Sequence, residues 1–116
     1  MKSILITGGA GFNPWNNGKL NGRFYYTYVL ESLKDGNKYT GYTKNLPLRF
    51  EAHEKGEFAS TKHRRPFKLV YFEACLSQKD ALKREKYLKT HYGKMFLGNR
   101  LKSYFTGQVK KNHIEK

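Results

Sequence analysis

Two aromatic, β-branched runs on either side of one polar turn constrain this fold more than any other feature of the sequence. Phe24 to Leu33 is aromatic and β-branched, with three tyrosines, and Lys38 to Thr43 resumes the pattern. Between them, Lys34-Asp35-Gly36-Asn37 is a turn signal, so a β-hairpin is expected. Strand alternation puts Phe24, Tyr26, Tyr28 and Leu30 on one face, and Tyr25, Thr27, Val29 and Glu31 on the other. Two tyrosine motifs fall on the hairpin, Tyr26-Thr27-Tyr28 and Tyr39-Thr40-Gly41. Tyr28 and Tyr39 can approach each other across it, and Gly41 leaves room for a backbone or ligand. Strands favour tyrosine in any case, so composition alone gives these residues no more than sheet packing.

The remaining elements follow from caps and breakers. Asn45 can cap a helix from Leu46 to about Lys55, with Pro47 in its first turn and Gly56 as its stop. Lys68 to Ala74 reads as a third strand. Ser77 with Asp80 resembles a capping box and opens a helix from Gln78 to about Thr90. Tyr92-Gly93 is read as a break, followed by a last helix from Lys94 to Phe105. The order is ββαβαα: an α+β domain with a small three-stranded antiparallel sheet flanked by helices.

At 116 residues the chain has room for one domain. Residues 1–22 stand apart. Met1 to Phe12 looks like the opening strand and glycine turn of a dinucleotide-binding Rossmann domain. That turn needs a helix directly after it, to meet the pyrophosphate. Here Pro14 stands where a third glycine belongs, and Asn16, Asn17 and Gly18 are poor helix formers. Residues 1–22 are therefore read as an extension without cofactor binding, 23–107 as the domain, and 108–116 as a basic tail. Cys75 is the single cysteine, which fits a cytoplasmic setting, and no apolar run reaches the roughly 20 residues that span a membrane.

Charge supplies the partner class. There are 23 Lys and Arg against 9 Asp and Glu, a net charge of +14, which favours a polyanion and above all nucleic acid. Lys62-His63-Arg64-Arg65 is the densest basic cluster. On the first helix, Arg49 and His53 are four residues apart and share a face. Arg49 offers a fork of donors to a phosphate, and His53 can exchange a proton near neutral pH. The plain alternative is a solvated pair on an exposed surface. On the second helix, Ala81, Leu82 and Leu88 define an apolar stripe that Glu85 interrupts, while Lys79, Lys83, Arg84, Lys86 and Lys89 fit the outer face. A carboxylate on such a stripe must be paired, bind a metal or shift its pKa.

Taken in order, Tyr26-Thr27-Tyr28, Tyr39-Thr40-Gly41, Arg49, His53 and Glu85 resemble the GIY-YIG nuclease domain. The likeness runs from Tyr25 to about Gly107 and is strongest to small stand-alone bacterial members, through Glu73-Ala74-Cys75 and Ala81-Leu82-Lys83-Arg84-Glu85. Tyr26-Thr27 replaces Gly-Ile in the first motif, and Thr40 replaces Ile in the second. The resemblance implies a metal-dependent endonuclease. Tyr28 or Tyr39 would be the general base, Arg49 the phosphate clamp, and His53 a partner of the catalytic phenol. Glu85 would be the sole protein ligand of one Mg²⁺ or Mn²⁺. Asn99 is the candidate for an asparagine that members carry further on.

A phenol of ordinary pKa, about 10, is a poor base at neutral pH and needs nearby positive charge. Arg49, His53 and the metal are expected to provide it. Lys62, His63, Arg64, Arg65, Lys83 and Lys86 are expected to hold the backbone of nucleic acid, DNA before RNA. A binding module of the same fold without turnover is the alternative.

Overall fold

The computed structural model describes residues 24–107. The Rossmann-like fragment at 1–22 and the tail at 108–116 lie outside the described residues. Strand β1 (Tyr25–Ser32) turns into β2 (Lys38–Thr43), and helix α1 (Leu46–Glu54) follows. After a single 3-10 turn at Lys62–Arg64 come β3 (Phe67–Cys75), α2 (Gln78–Leu88) and α3 (His91–Arg100). Residues 102–107 are again helical. The sheet order is β2-β1-β3, antiparallel throughout, as expected for the ββαβαα arrangement.

The hairpin forms where its sequence dictates. Ser32 ends β1, and its Oγ accepts hydrogen bonds from the backbone N–H groups of Lys34 and Asp35. Gly36 supplies the left-handed residue of the turn, with φ of 76°. The strand ends one residue before Leu33, which is exposed. Against β3, the register slips between Val29 and Leu30. Val29 faces Tyr71 and Leu30 faces Leu69, so Val70 is an extra residue and the pair bulges there.

Central position makes β1 the most buried element. On one face, Tyr26, Tyr28 and Leu30 pack with Leu46 of α1 and Phe67 of β3, and Phe24, Tyr39, Phe50 and Leu69 surround them. On the other, the buried Thr27 donates its hydroxyl to the Ala81 carbonyl of α2 at 2.8 Å. Helix α1 begins at its expected cap, where the Asn45 side chain accepts from Leu48 N–H. This positions Leu46 in the core and sets the angular phase of Arg49 and His53.

The chain divides into two compact units, one through Glu85 and one from Lys86. In the second, the helix break falls earlier than the sequence suggests. Thr90 caps α3, accepting from Gly93 N–H at 3.1 Å, so His91 and Tyr92 are already helical. Gly93 is a close-approach residue rather than a breaker: a Cβ there would overlap the Tyr87 carbonyl and Leu88 Cα. Leu88 and Leu97 are buried in this unit.

Leu46 is fully buried at the head of the helix that carries the site. Leu46→Ala should destabilise the domain by about 2–5 kcal/mol in urea unfolding, the range for truncating a core leucine.

Candidate active site

The site grows from the phase of two neighbouring elements. On β1, Tyr28 points to the face covered by α1; on α1, His53 points back at the sheet. The Tyr28 hydroxyl and His53 Nε2 are 2.9 Å apart, and both residues are buried. Tyr28 sits opposite Gly41 in the hairpin register, and its ring lies over that glycine. A Cβ at Gly41 would come within 2.5 Å of the Tyr28 hydroxyl oxygen. The space expected at Gly41 is therefore occupied by the phenol of the first motif. Tyr39 pairs with Leu30, and its half-buried ring stands 6.4 Å from Tyr28 and 5.2 Å from His53, centroid to centroid.

Arg49 lies one turn before His53. Its guanidinium donates to the Tyr42 carbonyl at 3.3 Å and lies near enough to the Tyr28 hydroxyl for its positive charge to favour the phenolate. It also lies 5.2 Å from the Phe58 ring centroid. The same ring is 4.7 Å from His53, so Phe58 holds both side chains. The far nitrogen of His53, Nδ1, is 2.9 Å from Thr61 Oγ1, and Thr61 is fully buried. Phe58 and Thr61 carry no signal in the sequence. They lie in the connection before the basic cluster and reach the site only through folding.

This setting corrects the expectation for His53. It is not a solvated residue titrating near neutrality. Burial, with Arg49 beside it, pushes its pKa down to about 4, leaving a neutral imidazole at pH 7. His53 can therefore serve Tyr28 as a hydrogen-bond partner but not as a resting cation. Burial likewise pushes the Tyr28 phenol up to about 12. Tyr39 and Glu85 add to the rise, and Arg49 opposes it.

Glu85 is half-buried on α2, within electrostatic reach of Tyr28. Ala81 and Leu88 form the buried stripe around it, but Leu82 is 39% exposed and does not belong to that stripe. Arg84, expected on the outer face, instead turns toward the sheet. Its Nε lies 2.9 Å from both carboxylate oxygens of Glu73, which also accepts from the Tyr71 hydroxyl. Among the described residues, no three His, Cys, Asp or Glu side chains converge in a way that could hold a metal. One accessible carboxylate suits an ion that keeps most of its waters, which is the habit of Mg²⁺, and not a closed zinc site.

The basic residues are placed unequally. Lys62 and His63 are exposed. Arg64 is half-buried, donating to the Lys38 carbonyl and lying 3.9 Å from Asp35. Arg65 donates to the Lys62 and Glu54 carbonyls. Ser32 donates to the Arg64 carbonyl, so this cluster closes the turn end of the sheet. That is four residues from Tyr28 along β1, or about 13 Å. Lys83 is exposed on α2. Lys86 and Asn99 are exposed in the second unit.

With this geometry in place, comparison with known proteins defines the class. Residues 24–99 match the model of the GIY-YIG catalytic domain, and the chain belongs to this family. It is 38% identical to the UPF0213 protein CPE1444 of Clostridium perfringens, over 78% of this chain and 94% of that protein. It is 43% identical to a UPF0213 protein of Staphylococcus aureus strain Mu3, over 58% of this chain and 82% of that protein. The solution structure of the UPF0213 protein BH0048 from Bacillus halodurans shares 37% identity. It covers 66% of this chain and 83% of that one, with a TM-score of 0.43.

Two measurements check the site. The His53 ring should titrate near pH 4 by NMR. Because the folded pKa lies below the unfolded value of about 6.5, its contribution to stability is present above pH 6.5 and is lost as pH falls toward 4. Gly41→Ala should force the Tyr28 ring to move, at a cost of about 1–3 kcal/mol in thermal or urea unfolding.

Proposed function

We propose that this chain is a metal-dependent endonuclease that hydrolyses phosphodiester bonds, with DNA as its substrate. One observation carries the reading: the Tyr28 hydroxyl sits at the junction of Arg49 and His53, in the field of Glu85. A buried phenol bonded to a neutral imidazole, with a guanidinium beside it, is suited to proton transfer. Burial alone requires some partner for the hydroxyl, but not an imidazole with a guanidinium beside it.

In this mechanism Tyr28 is the general base toward the attacking water, and His53 Nε2 is the acceptor for the phenol proton. Arg49 faces two demands. It favours the phenolate, and it offers donors to charge that builds on the phosphoryl oxygens. Tyr39 packs its ring on both Tyr28 and His53 and limits their movement. Glu85 would hold the Mg²⁺ or Mn²⁺, whose charge would offset the field that now disfavours the phenolate and would stabilise the leaving oxygen. Lys62, His63 and Lys83 would meet backbone phosphates, so binding should weaken as salt rises. Arg64 and Arg65 have structural bonds to keep and are assigned a smaller share. The one free cysteine fits a cytoplasmic setting.

A second reading, nucleic-acid binding without turnover, draws on the complete burial of Tyr28 and the raised pKa of its phenol. Nicking of supercoiled plasmid with Mg²⁺ or Mn²⁺ separates the two. The nuclease reading expects metal-dependent nicking that drops about 100-fold or more in Tyr28→Phe, Arg49→Ala and Glu85→Ala. Tyr39→Phe should lose less than Tyr28→Phe. Salt-sensitive DNA binding with no nicking by the wild-type protein would establish the binding module instead.

A further inference from the structure

The His53 imidazole is hydrogen bonded at both nitrogens, and the two bonds constrain each other. The Nε2 side meets the Tyr28 hydroxyl at 2.9 Å, and the Nδ1 side meets Thr61 Oγ1 at 2.9 Å. A neutral imidazole carries one N–H, so one nitrogen donates and the other accepts. Tyr28 is fully buried, and its hydroxyl makes its hydrogen bond to His53 Nε2, with the donor-only guanidinium of Arg49 nearby. The phenol proton therefore has to go to an acceptor, and His53 Nε2 is the acceptor within reach. Nε2 must then be bare, and the ring proton belongs on Nδ1, directed at the Thr61 oxygen. Thr61 is 0% exposed, so water does not take its place.

We propose that His53 rests as the Nδ1–H tautomer, with Nε2 reserved for the proton of Tyr28, and that Thr61 is the positioning residue that supports this form by accepting the buried Nδ1 proton. The catalytic consequence rests on the nuclease reading; the tautomer does not. Thr61 is held for this task by its own loop, because its backbone N–H donates to the Phe58 carbonyl and the Phe58 ring packs on His53. The backbone bond and ring contact set where the hydroxyl lies relative to the imidazole. In the opposite tautomer an N–H would face the phenol and Nδ1 would accept from Thr61. The buried phenol proton would then have no acceptor.

The test uses the full chain labelled with ¹⁵N-histidine and long-range proton–nitrogen NMR, which tells a protonated ring nitrogen from a bare one. The wild-type protein should show His53 with a protonated Nδ1 and a bare Nε2. Thr61→Val keeps the shape and removes the hydroxyl; it should shift the ring partly or wholly to the Nε2–H form, and Thr61→Ser should restore the original form. Metal-dependent nicking should fall about tenfold or more in Thr61→Val and recover to within about threefold in Thr61→Ser. A bare Nδ1 in the wild-type protein overturns the proposal, and this holds even if Thr61→Val does not fold. An unchanged tautomer in folded Thr61→Val also overturns it. Absence of nicking by the wild-type protein would remove the nuclease reading and leave the tautomer result standing.

Discussion

The hydrogen bond between Tyr28 and His53 is the contact around which the site is organised. It ties the central strand of the sheet to the helix that covers it, and it buries two polar groups that each need a partner. A buried hydroxyl or imidazole left unpaired costs about 1–3 kcal/mol, so the surroundings are committed to completing the network. His53 Nε2 satisfies the phenol, and Thr61 satisfies the far side of the imidazole. Among the described residues, no buried side-chain nitrogen or oxygen lacks a hydrogen bond. Gly41 belongs to the same arrangement, since the phenol can reach His53 only if the facing strand residue has no side chain.

The network also accounts for the electrostatic balance. Burial raises the phenol and lowers the imidazole, so at rest the proton stays on tyrosine and histidine is neutral. Arg49 pulls the phenol the other way, and Glu85 reinforces the effect of burial. For the proposed role of Tyr28 as a base, this resting state is the inactive one. A change of charge near Glu85 or Arg49 would be what alters it. Such a dependence would couple proton removal to the arrival of metal and substrate.

Much of the fold was legible because its signals are local. Period-two alternation and the Lys34–Asn37 turn define the hairpin, and Asn45 defines the start of α1. Arg49 and His53 were legible as a shared face because a helix puts residues four apart together. Burial was not legible there, since Phe58 and Thr61 come from a connection with no periodicity. The helix α2 stripe is only partly legible for a related reason. Helical phase alone puts Leu82 inside and Arg84 outside, but Glu73 on β3 draws the guanidinium inward while Leu82 stays at the surface. The cap at Thr90 is hidden by Gly93, a stronger breaker signal in sequence whose place in the fold is a close approach to Tyr87 and Leu88.

The phenols, the guanidinium, the imidazole and their supports all come from one unbroken stretch, Tyr28 to Thr61. Glu85 comes from beyond the next strand. The proton-handling half is therefore written in a short, continuous piece of chain, whose ends are joined at little entropic cost. The carboxylate half is supplied separately, on a helix fastened to the same strand through Thr27 and Ala81. Within such a layout, replacing Glu85 removes none of the side chains that form the phenol network. The proposed ion ligand and the aromatic scaffold can thus be lost independently, and the presence of the tyrosine motifs in a relative is not by itself a sign that the relative cuts.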